Sequence, residues 1–510
     1  MQIRMAPGVR YGPGLKATPY REFERRVRRY PRTALLRRCA ATSAALEQVW
    51  AERQPSLHMS VQPWSLAGVA RTCLAAGTED RTANVSDNTV ASLCSQFVNV
   101  GDPDVAVGLG IERVITKMAF EQFASQYSVM ENLARSGALL LDHADGVPGA
   151  PRAQDWIDLL GVDLEQYLRL GFAAFVAMVE NGGSVSRELL LDKRVAPAFA
   201  PVAPAEALAV LDRHFVAPLD RLRGQARDAE ASGREKWSWN PLSATPLVKI
   251  GGDLVAPAAH LILDKITTTG LYYTAAPAWG SRFTDALGTM FERYVGTQLR
   301  LLTQAVLHPE IVYGPNGEKG CDYLLIFDEV VLLVEVKTLR PTVLVRTGQD
   351  DGEAELTKRI GHARDQLIRT AQLVRERHPA FAAIPDDRPT VGLIVTLEPF
   401  HLHQTGRAEQ LLISAELAVG AAWAHDLEGT VAVLAEVEDA GARLLRVLGA
   451  SDPWRRHLRE AADGLPDAAN PILDTAYERW SAMPQDAVQQ AWDSDSASAH
   501  GRGVVPDSGF

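Results

Sequence analysis

Cysteine is scarce in this chain. Four residues in 510, Cys39, Cys73, Cys94 and Cys321, are scattered without a C-x-x-C pair and without a histidine at ligand spacing. That argues against a disulfide framework and against a structural zinc site. Long apolar runs are also missing. Nothing approaches the roughly 20 residues that a membrane helix needs, and the first eight residues, MQIRMAPG, lack the apolar core of a signal peptide. A cytoplasmic protein with no membrane partner is therefore expected. No internal repeat is present. Excess positive charge is absent too: the net charge is -11, which argues against a surface coated for non-specific nucleic-acid binding but not against a local basic cleft. What is there is an ordinary globular composition, 46% hydrophobic and 23% charged, and enough length for two or three domains.

The most informative stretch runs from Cys321 to Lys337. Two apolar runs, Tyr323–Phe327 and Val330–Val334, flank the polar step Asp328-Glu329, as in a β-hairpin. The runs are β-branched and leucine-rich with little alternation, so both sheet faces are expected to be covered. With Asp328 and Glu329 as the turn, Phe327 faces Val330, and the same ladder places Asp322 opposite Glu335. Opposed residues in an antiparallel pair share a face, with Cβ atoms roughly 4.5–5.5 Å apart. Lys337, two residues beyond Glu335, shares it. Two carboxylates that close repel each other and resist burial. A hard divalent cation removes both problems, and Mg²⁺ favours one or two carboxylates with water and phosphate oxygen.

The flanking elements are legible as well. A helix over about 282–304 buries Phe283, Leu287, Met290, Phe291, Tyr294 and Leu301, with Glu292 at the edge of that stripe and Gly288 leaving an open patch one turn before it. Glu310–Tyr313 reads as a first strand. The glycine-rich loop 314–320 then turns the chain; it lacks the G-K-[ST] of a P-loop. A loop with Arg340 and Arg346 follows Lys337. A helix over 354–377 buries Leu356, Ile360, Ala363, Leu367, Ala371 and Val374, and an adjoining face carries Arg359, His362, Gln366 and Arg369. Pro389–Leu397 reads as a buried strand.

In this order of elements and in the pattern Asp322, twelve intervening residues, Glu335-Val336-Lys337, the segment resembles the PD-(D/E)XK nuclease superfamily, the restriction-endonuclease-like fold. The proline that usually precedes the Asp is Cys321 here. The resemblance covers about 120 residues and implies an α/β core of α-β-β-β-α-β plan. It implies that Asp322, Glu335 and the Val336 backbone carbonyl bind Mg²⁺ or Mn²⁺, that Glu292 supplies a further acid, and that Lys337 orients the attacking water or stabilises developing charge. A glutamine on the helix after the Glu-x-Lys strand recurs near the site in such proteins. Gln366 or Gln372 fills that place, and Gln366 matches better because its neighbours are basic. Arg340, Arg359, His362 and Arg369 then become candidate nucleic-acid contacts. The implied activity is that of a metal-dependent endonuclease on nucleic acid, with DNA favoured. By analogy alone, the setting is defence against foreign DNA, with a homodimer or a partner protein from a defence system. Two other readings stay open: a non-catalytic relative that binds nucleic acid or a partner protein, and a structural ion cluster in which Lys337 neutralises the two acids.

The expected organisation is multidomain: a flexible arm over 1–20, a mostly α-helical N-terminal domain over 21–235, a linker and hairpin over 236–280, the nuclease-like α/β core over 281–400, an extension over 401–484 and a disordered tail over 485–510. The N-terminal domain shows helical period near 34–52, 88–98, 110–141, 153–181 and 203–230. It carries no catalytic motif. His58, His143 and His214 stand isolated, and Phe120, Phe123, Tyr127, Phe172 and Phe175 read as core. The 246–257 hairpin is expected to pack on the nuclease-like core. In the extension, Thr430–Leu434 reads as a strand. The segment Tyr20–Tyr30, with Arg21, Arg25, Arg26, Arg28 and Arg29, admits either phosphate contact or a solvated helix face partnered by Glu22 and Glu24.

Overall fold

A computed structural model describes residues 17–51, 61–101, 111–120, 129–192, 199–230, 235–340, 350–403 and 405–481. His58, Phe123, Tyr127, Arg346, most of the N-terminal arm and the tail lie outside these. The chain forms two compact units. Of the described residues, those in 17–101, 152–271 and 478–481 make the first, and those in 111–151 and 272–477 make the second. The division differs from the expected one. The hairpin segment belongs to the first unit, and 111–151 belongs to the second. No helix among the described residues is long and apolar enough to cross a membrane.

The first unit is mostly helical. It opens with α1 (Tyr20–Val27), α2 (Arg32–Ala51), α3 (Pro63–Ala76) and α4 (Asp87–Val98). Phe23 and Val27, one turn apart, seat α1 on the core shared with Leu35, Leu66, Leu93 and Phe97. Its opposite face carries Glu22–Arg26 and Glu24–Arg28 pairs, each at 2.7 Å. A small sheet completes the unit, with β1 (Ser184–Ser186), β2 (Val216–Pro218), β3 (Leu247–Ile250) and β4 (Asp253–Val255) in the order β1-β4-β3-β2. The expected hairpin is the antiparallel β3–β4 pair, but it pairs with β1 and β2, not with strands of the segment 281–400. His214 is satisfied by the Leu160 carbonyl at 3.1 Å.

The second unit is built on a five-stranded mixed sheet. Its strands are β5 (Val306–Pro309), β8 (Tyr323–Ile326), β9 (Val331–Lys337), β10 (Thr390–Thr396) and β11 (Ala418–Trp423), in the order β11-β10-β9-β8-β5. The pairings of β8 with β5 and with β9 are antiparallel; those of β10 with β9 and with β11 are parallel. A separate ribbon, β6 (Val312–Tyr313) and β7 (Glu318–Lys319), carries the glycine-rich turn. A helical run, Thr268–Leu299, is broken at Gly280. The segment after the break precedes β5, and the Asp350–Arg375 helix joins β9 to β10. That crossover is what a parallel pair requires. Leu324, Val331, Leu333 and Ile394 on one sheet face share a core with Leu356, Ile360, Ala363 and Leu367 of this helix.

Two expected strands are corrected. The first sheet strand is Val306–Pro309, not Glu310–Tyr313, whose last two residues pair instead with Glu318–Lys319. Thr430–Leu434 is the end of a helix, Ala424–Leu434, and the strand of that region is β11. The helix spanning 282–304 in expectation ends at Leu299.

Candidate active site

The register of the β8–β9 hairpin matches the expected ladder, from Ile326 opposite Val331 to Tyr323 opposite Val334. Its next rung would be Asp322 opposite Glu335. The β5–β8 register, Pro309 opposite Tyr323, would extend in the same way to Glu310 opposite Asp322. Both pairings stop at Tyr323; carried one residue on, they would align Glu335, Asp322 and Glu310, with Lys337 on the face of Glu335 two residues on.

Asp322 is held by the way its strand ends. Gly320 and Cys321 together oppose Ile311, because the register between β5 and β8 slips by one before the β6–β7 pair begins. This is a β-bulge, a device that re-aims a side chain. Gly320 N–H donates to the Ile311 carbonyl at 2.9 Å. The Asp350–Arg375 helix grips the bulge from outside: Gln366 Nε2 donates to the Gly320 carbonyl at 2.7 Å, and Cys321 N–H donates to Thr370 Oγ1 at 3.0 Å. The ladder alternation would have Val336 N–H reach the Cys321 carbonyl. It donates instead to Asp322 Oδ2 at 2.6 Å. The Asp322 carboxylate takes the place of a backbone carbonyl, which fixes its direction.

Glu335 is 0% exposed. Lys337 Nζ donates to its Oε1, while its Oε2 is buried with no hydrogen-bond partner. Burial first, and repulsion from Asp322 second, push the Glu335 carboxyl up to about 8 against the pull of Lys337. Burial also raises Asp322, opposed by the Val336 N–H and by Lys337. Glu292, half-buried, is raised by burial and then by the charges of Asp322 and Glu310. The helix carrying Glu292 is fastened to β8: the Tyr323 hydroxyl donates to the Glu292 carbonyl at 3.0 Å. Only a glycine at 296 permits this, since a Cβ there would lie 2.3 Å from the Tyr323 oxygen. Gly288, expected to leave an open patch, faces Thr338, the neighbour of Lys337; a Cβ would sit 3.8 Å from the Thr338 hydroxyl.

The structure thus brings Asp322, Glu335, Lys337 and Glu292 into one electrostatic group, and adds two residues the sequence reading missed. Glu310 is coupled to all three acids, and Lys319 pairs with Glu310 at 2.8 Å. The signal for Glu310 was its place one residue past an edge strand, visible only once that strand is set at Val306–Pro309. Two ion pairs lie within this group, Lys337 with Glu335 and Lys319 with Glu310. Several of its acids are turned to internal partners, and among the described residues no three His, Cys, Asp or Glu side chains stand together as a ready ligand set.

Other candidates separate from this group. Gln366 spends its amide on the Gly320 carbonyl, so it shapes the Asp322 turn rather than facing the acids. Gln372 bonds Glu416. Arg359 is exposed and pairs with Glu355 at 2.8 Å. His362 and Arg369 are exposed on the same helix as Gln366. The Arg340 guanidinium lies over the Tyr272 ring. At the carboxyl ends of β10 and β11, a cavity of about 30 Å³ lined by His401, His403, Asp426 and His457 has room for water and little else.

Compared with known proteins, the chain matches no family model, no curated protein and no solved structure.

Proposed function

We propose that the second unit is a metal-dependent nuclease core resembling the PD-(D/E)XK superfamily, which hydrolyses phosphodiester bonds of nucleic acid, DNA being the favoured substrate. The carrying observation is Glu335: a fully buried carboxylate with one orphaned oxygen, beside a second acid, on the strand that ends at a lysine. A buried carboxyl oxygen left without a hydrogen-bond partner costs about 1–3 kcal/mol. Four carboxyls against two ammoniums and the orphaned Oε2 fit a divalent cation of hard-oxygen preference. Asp322, Glu335 and the Val336 carbonyl would hold Mg²⁺ or Mn²⁺, with Glu292 and Glu310 as the adjacent acids. When bound, such an ion supplies charge neutralisation at a phosphate and acidifies water. Lys337 would release Glu335 and present its ammonium to the attacking water and to the charge that develops on the phosphate. The Val336 N–H keeps Asp322 aimed throughout.

The test is incubation of the purified chain and its Lys337→Ala and Asp322→Ala variants with plasmid, linear duplex, single-stranded DNA and RNA, with and without Mg²⁺ or Mn²⁺. Metal-dependent cleavage by the parent alone supports the reading. Full cleavage by both variants overturns it. One observation favours a second reading, a non-catalytic nuclease-fold protein: Lys337 already neutralises Glu335 without an ion. Calorimetric titration with Mg²⁺ and Mn²⁺ separates the two, since only the first requires metal binding lost in Asp322→Ala.

A further inference from the structure

We infer that a groove on the first unit binds the phosphate backbone of a polynucleotide. The groove, of about 980 Å³, is walled by Arg25, Arg26, Arg28 and Arg29 from α1 and the turn after it, and by Arg81. Among the described residues, Glu22 is the one acid on its wall. In a chain of net charge -11, five guanidiniums, three of them paired with Glu22, Glu24 and Asp80, leave a local excess of positive charge, which concentrates polyanions.

A solvated helix face accounts for part of this and leaves the rest. Glu22 and Glu24 pair with Arg26 and Arg28. Arg25 and Arg29 are exposed and four residues apart, and no carboxylate among the described residues pairs with either. Arg25 bonds only the Arg21 carbonyl, at 3.3 Å. Arg29 lies in the turn beyond the end of α1 at Val27, so its charge is not part of a helix-surface pair. The face is held in place, because Phe23 and Val27 anchor α1 from behind at 0% exposure. The facing wall is neutral and hydrogen-bonding: Thr89, Ser92 and Gln96 line one stripe of α4. The Gln96 Oε1 there is buried without a partner. Arginines with short polar side chains are the groups that grip phosphate and sugar, and Tyr30 at the same wall offers a ring on which a base can stack. An acidic protein segment would use the guanidiniums but not this polar stripe and ring. The inference stands on the first unit's own residues and holds whether or not the second unit cleaves.

The test is fluorescence anisotropy of the full chain in EDTA, so that cleavage does not intervene, with labelled duplex DNA, single-stranded DNA and RNA over a range of salt. Arg25→Glu/Arg29→Glu is compared with Arg213→Glu/Arg221→Glu, a control pair exposed elsewhere on the unit, and circular dichroism checks the fold of both. At least one polynucleotide should bind the parent with steep salt dependence. The groove pair should weaken it about tenfold and flatten the log–log salt slope by about 0.9 per lost phosphate contact on a duplex. The control pair should leave the slope nearly unchanged. Equal weakening by both pairs, no change in the groove pair, or binding of a polyglutamate peptide but of no polynucleotide would each overturn the inference.

Discussion

Two buried glutamates in the second unit make opposite uses of the same side chain. Glu428, 1% exposed in its side chain, is fully served: Arg135 donates to both oxygens and the Tyr294 hydroxyl donates to Oε1. Glu335 is as deeply buried, yet one oxygen has no partner and its carboxyl is pushed up to about 8. The contrast teaches that burial alone does not set two such acids apart; what differs is how completely each is compensated.

The contrast can be broken at either glutamate. The largest effect is expected at the incomplete one. Glu335→Gln and Lys337→Ala should each lower metal-dependent cleavage about a thousandfold or more, with the denaturation midpoint of Glu335→Gln retained in EDTA at pH 5. A Glu335→Gln variant that cleaves normally, or that unfolds, would erase the distinction. At the complete one, Arg135→Ala should cost about 3–5 kcal/mol in urea denaturation, because Glu428 is left charged and buried. A loss under 1 kcal/mol would show that the pair is not what holds that region.

Acidity sharpens the comparison further. The folded-state pKa of Glu335, about 8, lies above its ordinary 4.5. The folded chain therefore keeps a proton that the unfolded chain releases. Its contribution is fully present below about 4.5 and is lost as pH rises toward about 8, by at most about 5 kcal/mol. Asp322 and Glu292 shift in the same direction. Metal-free stability should fall between pH 5 and pH 8, and Glu335→Gln should flatten that fall. A parent whose stability in EDTA is level across this range would mean that Glu335 is not held protonated.

The smallest effects belong to the grip on the bulge. Thr370→Val removes the acceptor of the Cys321 N–H and should cost about 1–3 kcal/mol, and Gln366→Ala about 1 kcal/mol. Each should also raise the metal concentration needed for half-maximal cleavage, since Asp322 loses its fixed direction. Unchanged metal dependence in both would reduce these contacts to packing.

The hairpin register was legible because an apolar ladder around a two-residue polar turn leaves one consistent pairing, and that pairing alone predicted Asp322 against Glu335. Helix stripes were legible for the same reason of period. The edge strand was not. Val306–Pro309 is half-exposed and ends in proline, as edge strands tolerate, whereas Ile311-Val312-Tyr313 has the stronger strand composition but lies past the bulge. Thr430–Leu434 is β-branched, yet it continues a helix buried on nearly all sides, where packing outweighs propensity. β11 hid behind small residues. A Cβ on Gly420 would lie 2.6 Å from Leu448 and 2.9 Å from the Arg456 carbonyl, so the strand is small because its neighbours press on it. Glu310 followed the edge strand into obscurity.

β9 is the middle strand of its sheet, and its parallel neighbour arrives only after the Asp350–Arg375 crossover. During synthesis, a chain that has not yet emerged past Thr396 can form the β8–β9 hairpin but cannot shut Glu335 away from water. The rim that holds Glu335 is therefore closed late, when the last central strand slides into place.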